Sequence, residues 1–154
     1  MRFSLPTLTA VVLSLASHVA LAQSVTVEDA QVRAVPPVAT TSAAFMVLHN
    51  AGSDDTEIVA ATSPAAEVLE LHEHQHVDGV MQMRRVSEVG IPAGGSTELA
   101  PGNLHLMLIN LTQPLVEGER VDITLEFANG ETLSFDAPVQ PVETPQQASH
   151  GKAH

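Results

Sequence analysis

Two histidines and two methionines form the most informative pattern in this chain. His72, Met83, His105 and Met107 follow the spacing H-x10-M-x21-H-x-M, in a sequence that contains no cysteine. Imidazole nitrogen binds several transition metals, but neutral thioether sulfur selects soft Cu(I) over Zn(II) and over hard cations. Two imidazoles and two thioethers carry no net charge, so the set suits one soft monovalent ion. The pattern therefore indicates binding of Cu(I) rather than hydrolytic chemistry.

A second group of histidines overlaps the first. His72, His74 and His76 alternate along the sequence, so on a β-strand all three share one face. Such a trio can chelate zinc or Cu(II), and an exposed polar strand end beside a turn has the same pattern. We interpret His72 as a primary ligand, with His74 and His76 as accessory histidines that add Cu(II) binding.

Short β-rich runs separated by turn residues fill the chain after residue 22. Closely spaced short strands of this kind predict an all-β sandwich or barrel with one domain and one core. The predicted strands are Val25–Arg33, Ala43–His49, Glu57–Ala61, Val68–His76, Met81–Val86, Thr97–Leu99, Leu104–Ile109, Val121–Phe127 and Thr132–Phe135.

Two hairpins can be predicted from their turns. Asn129-Gly130 is a strong signal for a type I′ turn. Asp78-Gly79 is the other turn, and a two-residue loop there sets His74 opposite Met83 and His76 opposite Met81. In that register His72 lies diagonally from Met83 on the same face, roughly 7–8 Å away along the ladder. Two long side chains can meet at one ion across that gap.

The segment Leu104–Ile109 alternates leucines with His105, Met107 and Ile109. The period of two places the leucines on one face and the two candidate ligands on the other. We expect the leucines to enter the core, and His105 and Met107 to point away from it at a shallow site.

The two ends of the chain differ from its middle. Residues 1–22 have a positive Arg2, an apolar stretch over Leu8–Ala16 and the cleavage pattern Ala20-Leu21-Ala22, which predicts a secretory signal peptide cleaved near Ala22. We predict a sandwich domain over residues 23–138 and a flexible Pro-, Gln- and Ser-containing tail over 139–154. The protein is therefore expected to be exported, without stable membrane insertion.

At the four motif residues the sequence resembles the periplasmic PCu(A)C-type copper chaperones. Residues 78–84 (DGVMQMR) and 101–108 (PGNLHLML) are similar in sequence to members of that family, and the similarity extends from residue 33 to 130. The resemblance implies a cupredoxin-like Greek-key β-sandwich that binds one Cu(I) through His72, Met83, His105 and Met107. It also implies delivery of copper for assembly of cytochrome oxidase copper centres. Many members have Met where this chain has His74, and the tail offers only His150 and His154 as further histidines.

Other classes of function fit less well. The formal net charge is −12 and no basic patch is present, which argues against nucleic acid as a partner. No catalytic acid–base pair or nucleophile pattern is evident, so we expect a non-enzymatic carrier whose partner is a copper-accepting protein, such as an oxidase subunit or another carrier. The alternatives are a dismutase-like copper or zinc enzyme using His72, His74 and His76, and a metal-free sandwich in which Met83 and Met107 only fill space.

Overall fold

The computed structural model describes residues 24–143, which contain ten β-strands and no helix. The strands are β1 Val25–Arg33, β2 Thr41–Asn50, β3 Thr56–Thr62, β4 Ala66–Val77, β5 Val80–Arg85, β6 Val89–Ile91, β7 Ser96–Leu99, β8 His105–Leu111, β9 Arg120–Phe127 and β10 Thr132–Gln140. The all-β prediction is confirmed. The sequence missed β6, which is three residues long with a central glycine. The predicted signal peptide, and the tail from residue 144 on, lie outside the described residues.

The strands form the two layers of a cupredoxin-like sandwich. Hydrogen-bonded neighbours run in the order β5-β4-β8-β2-β1-β10-β9-β3-β6, with β7 beside β2. The first layer is β5-β4-β8-β2-β1, and the second is β10-β9-β3-β6. They join where β1 and β10 pair in parallel, at Val32 and Val139. Because β8 inserts between β4 and β2, segments far apart in sequence become neighbours in the first layer.

One face of the first layer forms half of the core. Alternate residues of its central strands are buried and pack in one cluster with residues of the second layer. These core residues include Leu69, Leu71, Leu106, Leu108, Ile123 and Leu125. The packing closes without disulfides, since the chain has no cysteine. The opposite side of β5-β4-β8-β2-β1 faces away from this core and is called the outer face below.

The hairpin of β4 and β5 has the predicted register. Asp78 and Gly79 both have positive φ, 50° and 77°, as a two-residue type I′ turn requires. His74 pairs with Met83 and Glu73 pairs with Arg84. The Arg84 guanidinium donates a 2.7 Å hydrogen bond to the Glu73 carboxylate. This tight turn fixes which side chains of β5 share the outer face with β4.

The other predicted turn type is wrong. Gly130 has φ of 85°, but Asn129 does not have positive φ, so the turn is not type I′. The Phe127 amide donates to the Glu131 carbonyl and the Gly130 amide to the Phe127 carbonyl, both at 2.9 Å. These bonds fit a three-residue loop in which Gly130 is the left-handed residue. The type I′ prediction assumed that Asn129 and Gly130 alone form the loop, whereas Ala128 is also part of it.

The last strand runs further than the composition suggested. β10 continues through Pro138 to Gln140, and Val139 is fully buried in the core. The Val139 amide donates to the Glu119 carbonyl at 2.8 Å. Strand structure therefore extends two residues beyond the sandwich boundary predicted at 138. Pro138 does not end the strand, because a proline is tolerated near the end of a ladder.

Candidate metal centre

Strand pairing brings the motif residues onto the outer face. His72 lies directly opposite His105 across β4 and β8. His74, two residues further along β4, lies opposite Met83 of β5. Because side chains alternate along a strand, Met107 shares the outer face with His105. Three neighbouring strands thus contribute the four predicted donors to one face of the sheet.

His105 is the most enclosed of the four. It is 3% exposed, although it lies on the side of β8 that faces away from the core. Its ring centre is 5.8 Å from that of His72, 5.0 Å from that of His74 and 6.4 Å from that of Phe45. The prediction that His105 turns away from the leucines is confirmed, but three aromatic rings of the outer face cover it. The site is deeper at β8 than the alternation alone suggested.

A turn before β8 sets the orientation of the His105 ring. The Asn103 amide donates to the Ala100 carbonyl at 3.0 Å, and Gly102 has φ of 84°, as expected for a type II turn over Pro101-Gly102. The Asn103 carbonyl then accepts a 3.0 Å hydrogen bond from His105 Nδ1. His105 Nε2 is buried without a hydrogen-bond partner. A proton on Nδ1 leaves the Nε2 lone pair free to bind a metal.

A carboxylate orients the His72 ring in a similar way. His72 Nε2 donates to Glu70 at 2.8 Å, and Glu70 is also 3.6 Å from the Arg85 guanidinium. His72 Nδ1 is buried and has no partner. A carboxylate on the far nitrogen of a metal-binding histidine fixes its tautomer and raises its basicity. Glu70 is not among the residues predicted from the sequence, although its position two residues before His72 places it on the same face.

The two methionines line an open cleft on the outer face. The cleft has a volume of about 440 Å³, and Met83, His105, Met107, His74, Phe45 and Arg33 contribute to its lining. His72, the fourth predicted donor, lies beside the cleft against His105. Met83 is 48% exposed at the sheet edge, whereas Met107 is half-buried on the central strand β8. Both methionines therefore line one space, Met83 from the edge strand β5 and Met107 from the central strand β8.

Burial and charge set the protonation of the groups around the cleft. Burial lowers the pKa of His105 below its ordinary value, and the nearby His74 and His72 lower it further. The hydrogen bond from His72 lowers the pKa of Glu70, which burial raises and Arg85 lowers. The Arg33 guanidinium lies 5.3 Å from the Phe45 ring centre, and burial lowers its pKa. The site therefore favours a neutral His105 beside an ionised Glu70.

The remaining histidines differ in their surroundings. His74 is half-buried in the cleft, and its Nδ1 has no partner. His76 is exposed near the end of β4, opposite Met81. His49 Nε2 forms a 2.7 Å hydrogen bond with the Glu28 carboxylate. Within residues 24–143, no three His, Asp or Glu side chains already converge as a metal-binding cluster. The tail histidines His150 and His154 lie outside the described residues.

This arrangement defines a β-sandwich with histidine and methionine donors gathered on one outer face. The LpqE-like family, described as putative lipoprotein LpqE-like, matches residues 25–139. The chain belongs to this family, which is of the PCu(A)C type. The putative lipoprotein Lxx21020 of Leifsonia xyli subsp. xyli is 41% identical over 100 residues, which are 64% of this chain and 60% of that protein. The matched region thus spans less than two thirds of that relative. Residues 24–143 include no helix long and apolar enough to cross a membrane.

Solved structures of similar proteins share the fold. Apo-DR1885 from Deinococcus radiodurans is 35% identical, with a TM-score of 0.62 over 92% of this chain and 97% of that one. The Cu(I) form of DR1885 is 39% identical, with a TM-score of 0.64 over 79% and 81% of the two chains. The copper-bound PCuAC domain from PmoF2 is 18% identical, with a TM-score of 0.65 over 77% and 94%. At its lower identity, the PmoF2 domain supports the fold alone.

Proposed function

We propose that this protein is an exported, non-enzymatic copper carrier that holds one Cu(I) through His72, Met83, His105 and Met107. The observation that carries the proposal is a pair of buried imidazole nitrogens without partners, His72 Nδ1 and His105 Nε2, on opposing strands of one face. Both methionines lie on the same face. The PCu(A)C-type family and the Cu(I)-bound relative DR1885 support copper as the cargo.

The donor chemistry favours the lower oxidation state. Two thioethers and two neutral imidazoles suit a soft d10 ion, and thioethers are poor ligands for Cu(II). The ionised Glu70 carboxylate accepts a hydrogen bond from the far nitrogen of the His72 ring, so it offsets the cation's charge without binding it. Sulfur does not titrate, so protons compete with copper only at the two imidazoles.

Release to a partner requires that some ligands be accessible. Met83 occupies the edge strand β5 and is half exposed, so an incoming donor can replace it first. We propose that the acceptor is a copper-accepting protein, such as a cytochrome oxidase subunit or another carrier, that takes the ion by stepwise ligand exchange. The predicted signal peptide and the lipoprotein relative support action outside the cytoplasm, in the periplasm.

The direct test combines ligand counting with removal of the sulfurs. X-ray absorption on the Cu(I)-loaded protein should show two sulfur and two nitrogen donors. Met83→Leu with Met107→Leu should weaken Cu(I) binding at least about 100-fold in a chelator competition titration, equal to about 2.8 kcal/mol. Met46→Leu is the matched control, because Met46 is buried in the core. An unchanged affinity in the double variant would refute the thioether site.

A further inference from the structure

A third imidazole packs against His105 as closely as His72 does. The ring centre of His74 is 5.0 Å from that of His105, closer than the 5.8 Å between His72 and His105. All three rings have one buried nitrogen without a hydrogen-bond partner: Nδ1 of His72, Nδ1 of His74 and Nε2 of His105. The four-ligand Cu(I) site uses two of these nitrogens and leaves His74 unexplained.

The ring spacing suits a shared ion. Two imidazoles that bind one metal through nitrogens about 2 Å away have ring centres on the order of 5–6 Å apart. Both measured separations around His105 are in this range. Among the described residues no three such side chains already converge, so side-chain rotation must bring the third nitrogen to the ion. His74 lines the cleft that Met83 and Met107 also line, so rotation moves it within an open space.

His74 and Met83 lie side by side in the lining of the cleft. They pair directly across β4 and β5, at the solvent edge of the cleft. Met83 is 48% exposed and is therefore free to move away from the centre. A ligand from β4 can replace a ligand from β5 at the same position on the ion, while the buried His105 keeps its place.

We propose that the centre has two ligand sets, and that His74 takes the place of Met83 when the ion is Cu(II). This inference rests on the proposed function, because His72 and His105 serve both sets. Imidazole is a good ligand for Cu(II), whereas thioether is a poor one, so three imidazoles favour the harder ion. No electron transfer is involved, since each oxidation state binds as it arrives. The protein can then collect copper in either state from an oxidising compartment.

The test is Cu(II) binding by the full chain with His150→Ala and His154→Ala, which removes the tail imidazoles. Electron paramagnetic resonance should show couplings to three nitrogens. His74→Ala should reduce these to two and weaken Cu(II) binding roughly tenfold or more. His49→Ala is the matched control, because His49 bonds Glu28 and lies outside the cleft lining, and it should leave Cu(II) affinity and spectrum unchanged. His74→Met offers a second variant of similar size, with the same expected loss of Cu(II) affinity.

The outcomes separate this inference from the proposed function. Retention of Cu(II) affinity and of all three nitrogen couplings in His74→Ala would overturn it, as would an equal loss in His49→Ala. Tighter binding of zinc than of Cu(II) by the same three histidines would overturn its assignment to copper. In Met83→Leu with Met107→Leu, loss of Cu(I) with retention of Cu(II) supports two ligand sets. If the parent chain fails to bind Cu(I) but its Cu(II) binding depends on His74, the proposed function fails and the Cu(II) site stands.

Discussion

The central strand β8 and the edge strand β5 contribute to the proposed centre in opposite ways. β8 pairs with β4 on one side and β2 on the other, and its His105 is 3% exposed. β5 pairs only with β4 among the described strands, and its Met83 is 48% exposed. The proposed inner ligand, His105, is held by packing and by a backbone hydrogen bond, while the proposed outer ligand, Met83, is half exposed at the sheet edge. A carrier that must bind firmly and still release its ion needs both kinds of ligand.

His105→Ala should have the largest effect, because it removes the most buried donor. We expect Cu(I) affinity to fall at least about 100-fold, equal to about 2.8 kcal/mol. Competition titration with a Cu(I) chelator measures it. His49→Ala is the control, since His49 pairs with Glu28 and lies outside the cleft lining. A loss no larger than that of the control would mean that β8 does not supply the fixed ligand.

Glu70→Gln should have the next largest effect, through His72 rather than by direct contact with copper. The change removes the charge that accepts the His72 Nε2 hydrogen bond, and loss of such a partner typically costs 10–100-fold in metal affinity. We expect a value near the lower end, about tenfold. Glu73→Gln is the matched control, because Glu73 pairs with Arg84 on the other side of β4. X-ray absorption should still count two nitrogens in Glu70→Gln, and loss of a nitrogen would mean that Glu70 does more than orient the ring.

Replacing either methionine should change Cu(I) binding and transfer more than it changes folding stability. Met→Leu nearly conserves volume and usually costs less than about 1.5 kcal/mol of folding free energy. We expect Met107→Leu to weaken Cu(I) binding several-fold more than Met83→Leu, because Met107 is half-buried beside His105. Stopped-flow transfer to a chelator should be faster in both variants. Equal transfer rates and affinities in the two variants would remove the distinction between inner and outer ligands.

Local patterns in the sequence were enough to predict much of this arrangement. Asp78-Gly79 fixed the β4–β5 register, and the alternation from Leu104 separated core from outer face. Which strand lies beside which was not predictable in the same way, because β8 inserts between β4 and β2 through pairings far apart in sequence. The burial of His105 follows from that insertion, since Phe45 comes from β2 and His74 from β4. The choice of ligand nitrogen also depends on a carbonyl, that of Asn103, which no side-chain pattern reveals.

The smallest expected effect is on the pH dependence of folding stability in the metal-free protein, and His105 causes it. Burial lowers the pKa of His105, and His74, His72 and Arg33 face it as further potential positive charges. The unfolded chain therefore binds a proton at this residue at a higher pH than the folded one. Its contribution to stability is fully present above the unfolded pKa of about 6.5 and is lost as pH falls through that value toward the lower folded pKa.

Urea unfolding of the metal-free protein at pH 7.5 and 5.5 measures this effect. The parent protein should lose more stability over this interval than His105→Ala, which has no titrating group at that position. Glu70 contributes little there, because its pKa is lowered from an ordinary value of 4.5 and its protonation occurs below the interval. An identical loss in both proteins would place the pH sensitivity elsewhere. A larger loss in the parent would show that the burial of His105 lowers the free energy of unfolding at acidic pH. The same burial favours the neutral ring that binds copper.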